Sequence, residues 1–446
     1  MKLLPNPRTL PWYMLAASLL VCFGVWHWAE GILAPANTGQ ALAKGRPIGN
    51  NSDLYPRWLG TRELLLHGRD PYSAEVTREI QTGFYGRPLN PQNPSDPTFP
   101  ESFVYPLYVV FLLAPTVTLP FATVQEIFRW FLLFGLACSV PLWMCAIGFR
   151  PRRLLVLSGM VLALSSSPGV SEYHQQNLAA LVVLFLAAAA AATARNRLLL
   201  AGFLLALATI KPELSGLIVL WFLLWATACW SERKRLIWGF LGTLAALLIA
   251  AEVVSPHWIG RFLAALTEYP TYGTDPSILQ VLLPSFLVKV VTAGLLGVLF
   301  AFCWQSRKAP AGSEYFGWAL AWVATVTLAV LPKLAAYNQA LLIPALLVLL
   351  AHREAIWKAR LFPRALTKGV LMCLLWQWGT ALILSLGSLL LPPSRLQAAA
   401  GVPEYTLLAL PPVTLLAVVV TTVSLRASLT KLPMGAQASP PVRRQR

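Results

Sequence analysis

Apolar residues run along this chain in long stretches parted by short polar breaks, with one exception at 35–102, where a polar, proline-rich segment interrupts the pattern. The first apolar stretch, 12–34, has about the length of a bilayer crossing and exceeds the roughly 7–15 apolar residues of a secretory signal. Lys2 and Arg8 before it and Ala41-Leu42-Ala43 after it also fit a cleaved signal peptide, but the length favours an uncleaved first helix. Crossings are predicted again at 124–148, 154–170, 178–194, 198–211, 213–230, 236–254, 284–304, 315–332, 337–351, 368–391 and 405–425. The stretch 103–121 is short and carries Pro106, Pro115 and Pro120, so it is expected to be re-entrant or to lie along the outer interface. The pattern therefore predicts an all-α, polytopic membrane helix bundle of about 12 transmembrane helices.

The segment 35–102 cannot lie exposed in hydrocarbon and reads as an outer-face loop. Within it, Leu54–His67 and Ser73–Gln81 mix apolar and charged residues at helical spacing, which predicts two short helices on the membrane surface. Gly68-Arg69-Asp70-Pro71-Tyr72 joins them, with Asp70 as the expected N-cap and Pro71 at the first helical position. The chain then divides into an N-terminal cytoplasmic end and first transmembrane helix (1–34), the outer loop (35–102), a helix bundle (103–425) and a cytoplasmic tail (426–446) that reads as disordered.

Composition sharpens this picture. At 57% hydrophobic and 12% charged, the chain lies outside soluble composition. Seventeen Trp, many near the ends of apolar runs, fit the aromatic belt at headgroup level. The six Cys sit in or beside apolar runs without paired metal spacing, so neither a disulfide framework nor a zinc site is expected. A net charge of +17 would suggest nucleic acid until it is located. Connections on one side of the predicted bundle hold 22 Lys/Arg against 3 Asp/Glu, and those on the other hold 11 against 12. The positive-inside rule makes the first set cytoplasmic, so the basic balance is topogenic and calls for no nucleic acid. Walker, HExxH, Gly-x-Ser-x-Gly and Rossmann patterns are absent, as is any convincing internal repeat.

Ionisable residues at membrane depth are costly and mark cavities. The outer side gathers Asp53, Glu172 to Asn177, Lys211-Pro212-Glu213, Tyr269 to Asp275, and Lys333 with Tyr337-Asn338-Gln339. Each has an ordinary reading. Asp53 can cap the helix that follows it, and His174 to Asn177 can be a hydrophilic turn. Lys211-Pro212 can be a kink with a snorkelling lysine, and Lys333 an interfacial one. Tyr105-Pro106 can be a turn and interfacial anchor.

The order Ser52-Asp53-Leu54-Tyr55, then Leu64-Leu65-Leu66-His67-Gly68-Arg69-Asp70-Pro71-Tyr72, then Phe103-Val104-Tyr105-Pro106-Leu107 leading to Leu119-Pro120, resembles the bacterial membrane glycosyltransferases of family 87. These belong to the GT-C class. Gln175-x-Asn177-Leu178 and Lys211-Pro212 extend the resemblance, which is strongest over 50–121. Departures are His174 where the family often has Gly, Leu107 in place of a second proline, and Ala336-Tyr337-Asn338-Gln339 where relatives often carry Trp and His.

The resemblance implies transfer of a sugar, mannose being the better-known one, from a polyprenyl-phosphate donor to the hydroxyl of a glycan or glycolipid acceptor. The reaction would run at the outer face of a bacterial cytoplasmic membrane, inverting, with no cofactor and no metal. Asp53 would be the base, because the attacking hydroxyl must lose its proton. Lys211, Lys333, Arg57 and His174 would meet the leaving phosphate. Tyr105, Gln175, Asn177, Tyr337 and Asn338 would line the substrate. The rival readings are a transporter or flippase without bond chemistry, and a non-catalytic membrane scaffold.

Overall fold

The computed structural model describes residues 9–43, 49–90, 92–93, 96, 101–268, 276–332 and 335–429, and no strand occurs among them. Lys333, the 269–275 loop and the tail beyond 429 lie outside the described residues.

The first helix, α1 (Leu10–Ala43), runs on past residue 34, where the apolar stretch ends. A wide π turn over Ala29–Leu33 ends two residues before Pro35, which has no N–H to give to an ordinary helical turn. Polarity changes at 35, but helicity does not. The outer loop then supplies α2 (Leu54–His67) and α3 (Ala74–Tyr85), close to the two predicted surface helices. Gly68 ends α2 at φ 66°, a left-handed value that favours glycine.

Asp70 does not cap α3. Ser73 does, its Oγ accepting from Val76 N at 3.3 Å. Asp70 instead turns its Oδ1 back onto Tyr72 N at 3.1 Å and pairs through Oδ2 with Arg261 at 2.9 Å. An Asx turn of this kind competes with capping for the same carboxylate. The stretch 103–121 holds only a five-residue helix, Val109–Leu113, and a 3-10 turn, with Phe103 to Val110 buried throughout. It lies tight against α2, where a Cβ on Gly60 would stand 2.4 Å from the Phe103 ring.

The bundle follows as α4 (Phe121–Ala146), α5 (Arg153–Leu164), α6 (Ser167–Gln175), α7 (Ala179–Ala194), α8 (Leu198–Ala208), α9 (Pro212–Thr227), α10 (Trp230–Val254), α11 (Trp258–Glu268), α12 (Ser285–Ser306), α13 (Glu314–Val330), α14 (Ala336–Ala351), α15 (Leu361–Gly387) and α16 (Leu410–Leu429). Six helical stretches are long and apolar enough to cross a membrane, and α5 with α6, bent by 54°, would add a seventh. The chain is thus a helical, multi-pass membrane protein by length and composition. The crossings expected at 178–194, 198–211, 213–230, 315–332 and 337–351 are apolar helices of 10–17 residues, below the ~20 residues that span hydrocarbon unaided. Helix α11 stands in the interval left between the crossings expected at 236–254 and 284–304.

Helices α7 and α13 are buried on nearly all sides, as sequences apolar all round require. In lipid, water exclusion does not drive helices together, so close backbone approach has to. Helices α8 and α10 show this reciprocally: a Cβ on Gly202 would meet Leu236 O at 2.1 Å, and one on Gly239 would meet Leu199 O at 2.4 Å.

Candidate functional site

Four breaks between helices converge: residues 50–53 before α2, 175–178 between α6 and α7, 209–211 between α8 and α9, and 335–339 at the start of α14. Helix ends leave backbone groups without intrahelical partners, and polar side chains collect there to satisfy them. Two of the breaks contain non-glycine residues in the left-handed region, Asn51 at φ 48° and Gln176 at φ 47°, a conformation that costs roughly 1–2 kcal/mol. The breaks are pinned to each other. Asp53 N donates to Gln175 O at 2.7 Å, Ser52 Oγ donates to Gln176 Oε1 at 2.7 Å, and Gln125 Nε2 donates to the same Oε1 at 3.0 Å.

Asp53 stands at the N-cap position of α2, yet its side chain makes no capping hydrogen bond. The carboxylate reaches across to the next break, where Oδ2 accepts from Asn177 Nδ2 at 2.7 Å. Oδ1 accepts no hydrogen bond among the described residues, and the residue is half-buried. One oxygen is held and the other is open. Asn177 Oδ1 in turn accepts from Lys211 Nζ at 2.8 Å, and Nζ also donates to Asn338 Oδ1 at 3.0 Å. The ammonium sits 4.6 Å from the centre of the Tyr337 ring. Lys211 is only 5% exposed, so this is no snorkelling side chain. Its third N–H finds no acceptor among the described residues.

Arg57 closes the other side of Asp53. Its Nη1 donates to Asp53 O at 2.6 Å and lies 3.9 Å from Glu101 Oε2, while the guanidinium stacks 4.5 Å over the Tyr105 ring. Tyr105 is held in place from behind by Tyr72, whose hydroxyl donates to Tyr105 O at 2.7 Å. Burial, with Glu101 and Asp53 adding to it, pushes the Tyr85 phenol up, so it stays neutral beside these carboxylates. A cavity of about 200 Å³ opens beside Tyr105 and the α8–α9 break, walled by Pro106, Ile210, Pro212 and Phe262, with Glu213 as a carboxylate in its lining.

Asp53, Asn177, Lys211, Asn338, Tyr337, Arg57 and Tyr105 therefore form one contact network. The other predicted residues stand apart from it. His174 lies 3.4 Å from Glu30 Oε1, and Gln175 joins the network only through its backbone carbonyl, its side chain being exposed. Gln176 holds the inward position instead, because the left-handed turn at 176 reverses the register that periodicity assigns at a helix end.

Glu172 was also hidden within a polar run. It is fully buried, with Oε1 accepting from Ala180 N at 2.8 Å and Oε2 without a hydrogen-bond partner among the described residues. A carboxylate flanked by apolar helices was its only signal. Among the described residues no three His, Cys, Asp or Glu converge, so no metal ligands are assigned. No known family model matches the chain, and no curated protein does.

Proposed function

We propose that this chain is an integral membrane glycosyltransferase of the GT-C type, with about 12 transmembrane helices once the shorter apolar helices are counted as crossings. It moves a sugar, mannose first among the candidates, from a polyprenyl-phosphate donor to an acceptor hydroxyl at the outer face of a bacterial cytoplasmic membrane. The observation that carries this reading is the Asp53 carboxylate, which leaves the cap position empty and offers one open oxygen beside a buried cation.

In the reaction, Oδ1 of Asp53 takes the proton of the acceptor hydroxyl as its oxygen attacks the anomeric carbon. The bond from that carbon to the phosphate oxygen breaks on the opposite face, which inverts the centre. The departing phosphate keeps the electron pair, and the free N–H of Lys211 answers that charge in a site poor in water. Asn177 keeps base and cation in register because it bonds to both. The apolar wall of the cavity beside Tyr105 suits prenyl units of the donor.

The test is to reconstitute the protein in vesicles with a radiolabelled polyprenyl-phosphate sugar and a glycolipid acceptor fraction. Release of polyprenyl phosphate with label in the acceptor is expected. Intact donor crossing the bilayer with no new glycosidic bond would contradict the proposal in favour of a flippase.

A further inference from the structure

A second cluster of aromatic and charged side chains forms where α1, α4 and α6 meet. Tyr173 of α6 meets Trp26 of α1 edge-on at 4.8 Å and Trp130 of α4 at 6.1 Å. The Arg129 guanidinium lies 4.6 Å from the centre of the same ring. Arg129 Nε donates to Tyr173 O at 3.2 Å, and its Nη1 pairs with Glu126. Trp130 Nε1 donates to the other Glu126 oxygen at 2.9 Å. The Trp130 indole is thus locked in one orientation although it is 59% exposed. Membrane anchoring needs no such fixing, and immobilising a side chain costs rotamer entropy. A locked, exposed ring is preorganised for a ligand.

One carboxylate stands open beside this platform. Glu30, in the π turn of α1, has a half-exposed side chain, and His174 Nε2 faces it at 3.4 Å without a hydrogen-bond partner. Charge narrows the ligand. Glu30 and Glu126 oppose an anionic headgroup, and Arg129 already occupies the cation position over Tyr173, so a quaternary ammonium finds that face taken. A pyranose fits what is left: its C–H face can lie on the Trp130 indole while its hydroxyls donate to the exposed Glu30 carboxylate. Ile127, Phe131 and Phe134 continue from the platform as an exposed apolar stripe on α4, at the spacing of one helix face. The ligand's other end is therefore apolar.

We propose that this cluster binds the neutral sugar headgroup of a lipid-linked acceptor. The assignment rests on the transferase reading for the word acceptor. Gln176 connects the two sites, because its Nε2 donates to Tyr173 O and its Oε1 accepts from Ser52, the neighbour of Asp53.

The experiment measures lipid retention by the purified full-length protein with no sugar donor present. Three lipids are compared: monogalactosyl diacylglycerol, dioleoyl phosphatidylcholine and dioleoyl phosphatidylglycerol. Preferential retention of the galactolipid is expected, weakened about tenfold by Trp130→Ala and by Glu30→Gln, with the other two lipids unaffected. Both side chains are at least half-exposed, so neither change threatens the fold. Equal retention of all three lipids, a preference for phosphatidylglycerol, or a galactolipid preference indifferent to Trp130→Ala would overturn the site and leave an ordinary interfacial aromatic belt. Because no transfer is measured, a failed transferase assay with intact galactolipid retention would sink the enzyme reading and spare this one.

Discussion

A buried cation packs at each end of helix α9, Lys211 at its start and Arg233 of α10 at the other, and the two are handled in opposite ways. At its start, Lys211 gives two protons to the side-chain amides of Asn177 and Asn338, and its third has no acceptor among the described residues. Near its far end, about 24 Å away at 1.5 Å per residue, Arg233 lies 3.8 Å over the Trp225 ring and donates to the carbonyls of Trp225, Arg307, Lys308 and Ala309 at 2.8–3.3 Å. Among the described residues neither cation has a carboxylate within ion-pair distance. Arg233 is committed to main-chain oxygens that cannot turn away, so it fixes the turn after α12. Lys211 is held by movable amides, one of which also holds Asp53. Burial alone does not mark a working charge; unused bonding capacity next to an open carboxylate does.

Substitutions at the two ends should separate function from stability. Replacing Lys211 by Met should lower sugar transfer by about a thousandfold, while melting temperature falls less than it does for Arg233→Met, since two movable amide oxygens lose a donor instead of four fixed carbonyls. A clear fall in melting temperature with transfer retained would erase the contrast. Asn177→Leu should reduce turnover by about a hundredfold, through a base and cation no longer in register, with the protein still inserted and monodisperse. Arg233→Met should do the reverse of Lys211→Met: orphaned carbonyls destabilise the fold by about 3 kcal/mol, while transfer per folded molecule is unchanged. Parallel thermal-stability and activity measurements read all three.

The smallest effect is expected at another helix end, in the connection after α14. Burial works to lower the pKa of His352, but its Nε2 lies 2.5 Å from Glu314 Oε1 and its Nδ1 donates to Val348 O at 2.8 Å, and the net direction is upward. The folded chain then holds this proton to higher pH than the unfolded chain. The stabilisation is complete below the ordinary value of 6.5 and is lost as pH rises through the raised one. Melting temperature should therefore decline gently as pH rises above the ordinary value of 6.5, and Glu314→Gln should flatten that slope.

Much of this was legible as interruptions of an apolar pattern. Asp53, Asn177 and Lys211 stood out because polar residues between greasy helices have few uses, and α2 and α3 followed from their spacing. What the pattern hid was geometric. Periodicity cannot say which of Gln175 and Gln176 turns inward, because a left-handed residue at 176 decides it. Nor can it end α1, where polarity and helicity part company after Leu33. His174 shares a polar run with Asn177 but leaves α6 toward α1, so adjacency in sequence placed it in the wrong cluster. Helix lengths of 10–17 residues likewise came from the folded chain, since apolar runs such as 198–211 continue past the point where the helix ends, at Ala208.

The central claim is that Asp53 is a base and not a helix cap. Asparagine caps helices about as well as aspartate but cannot take a proton. Transfer from a polyprenyl-phosphate sugar should be measured in vesicles for the wild type and for Asp53→Asn at matched folded protein. A loss of about a thousandfold or more is the predicted result; transfer within a few-fold of wild type would contradict it.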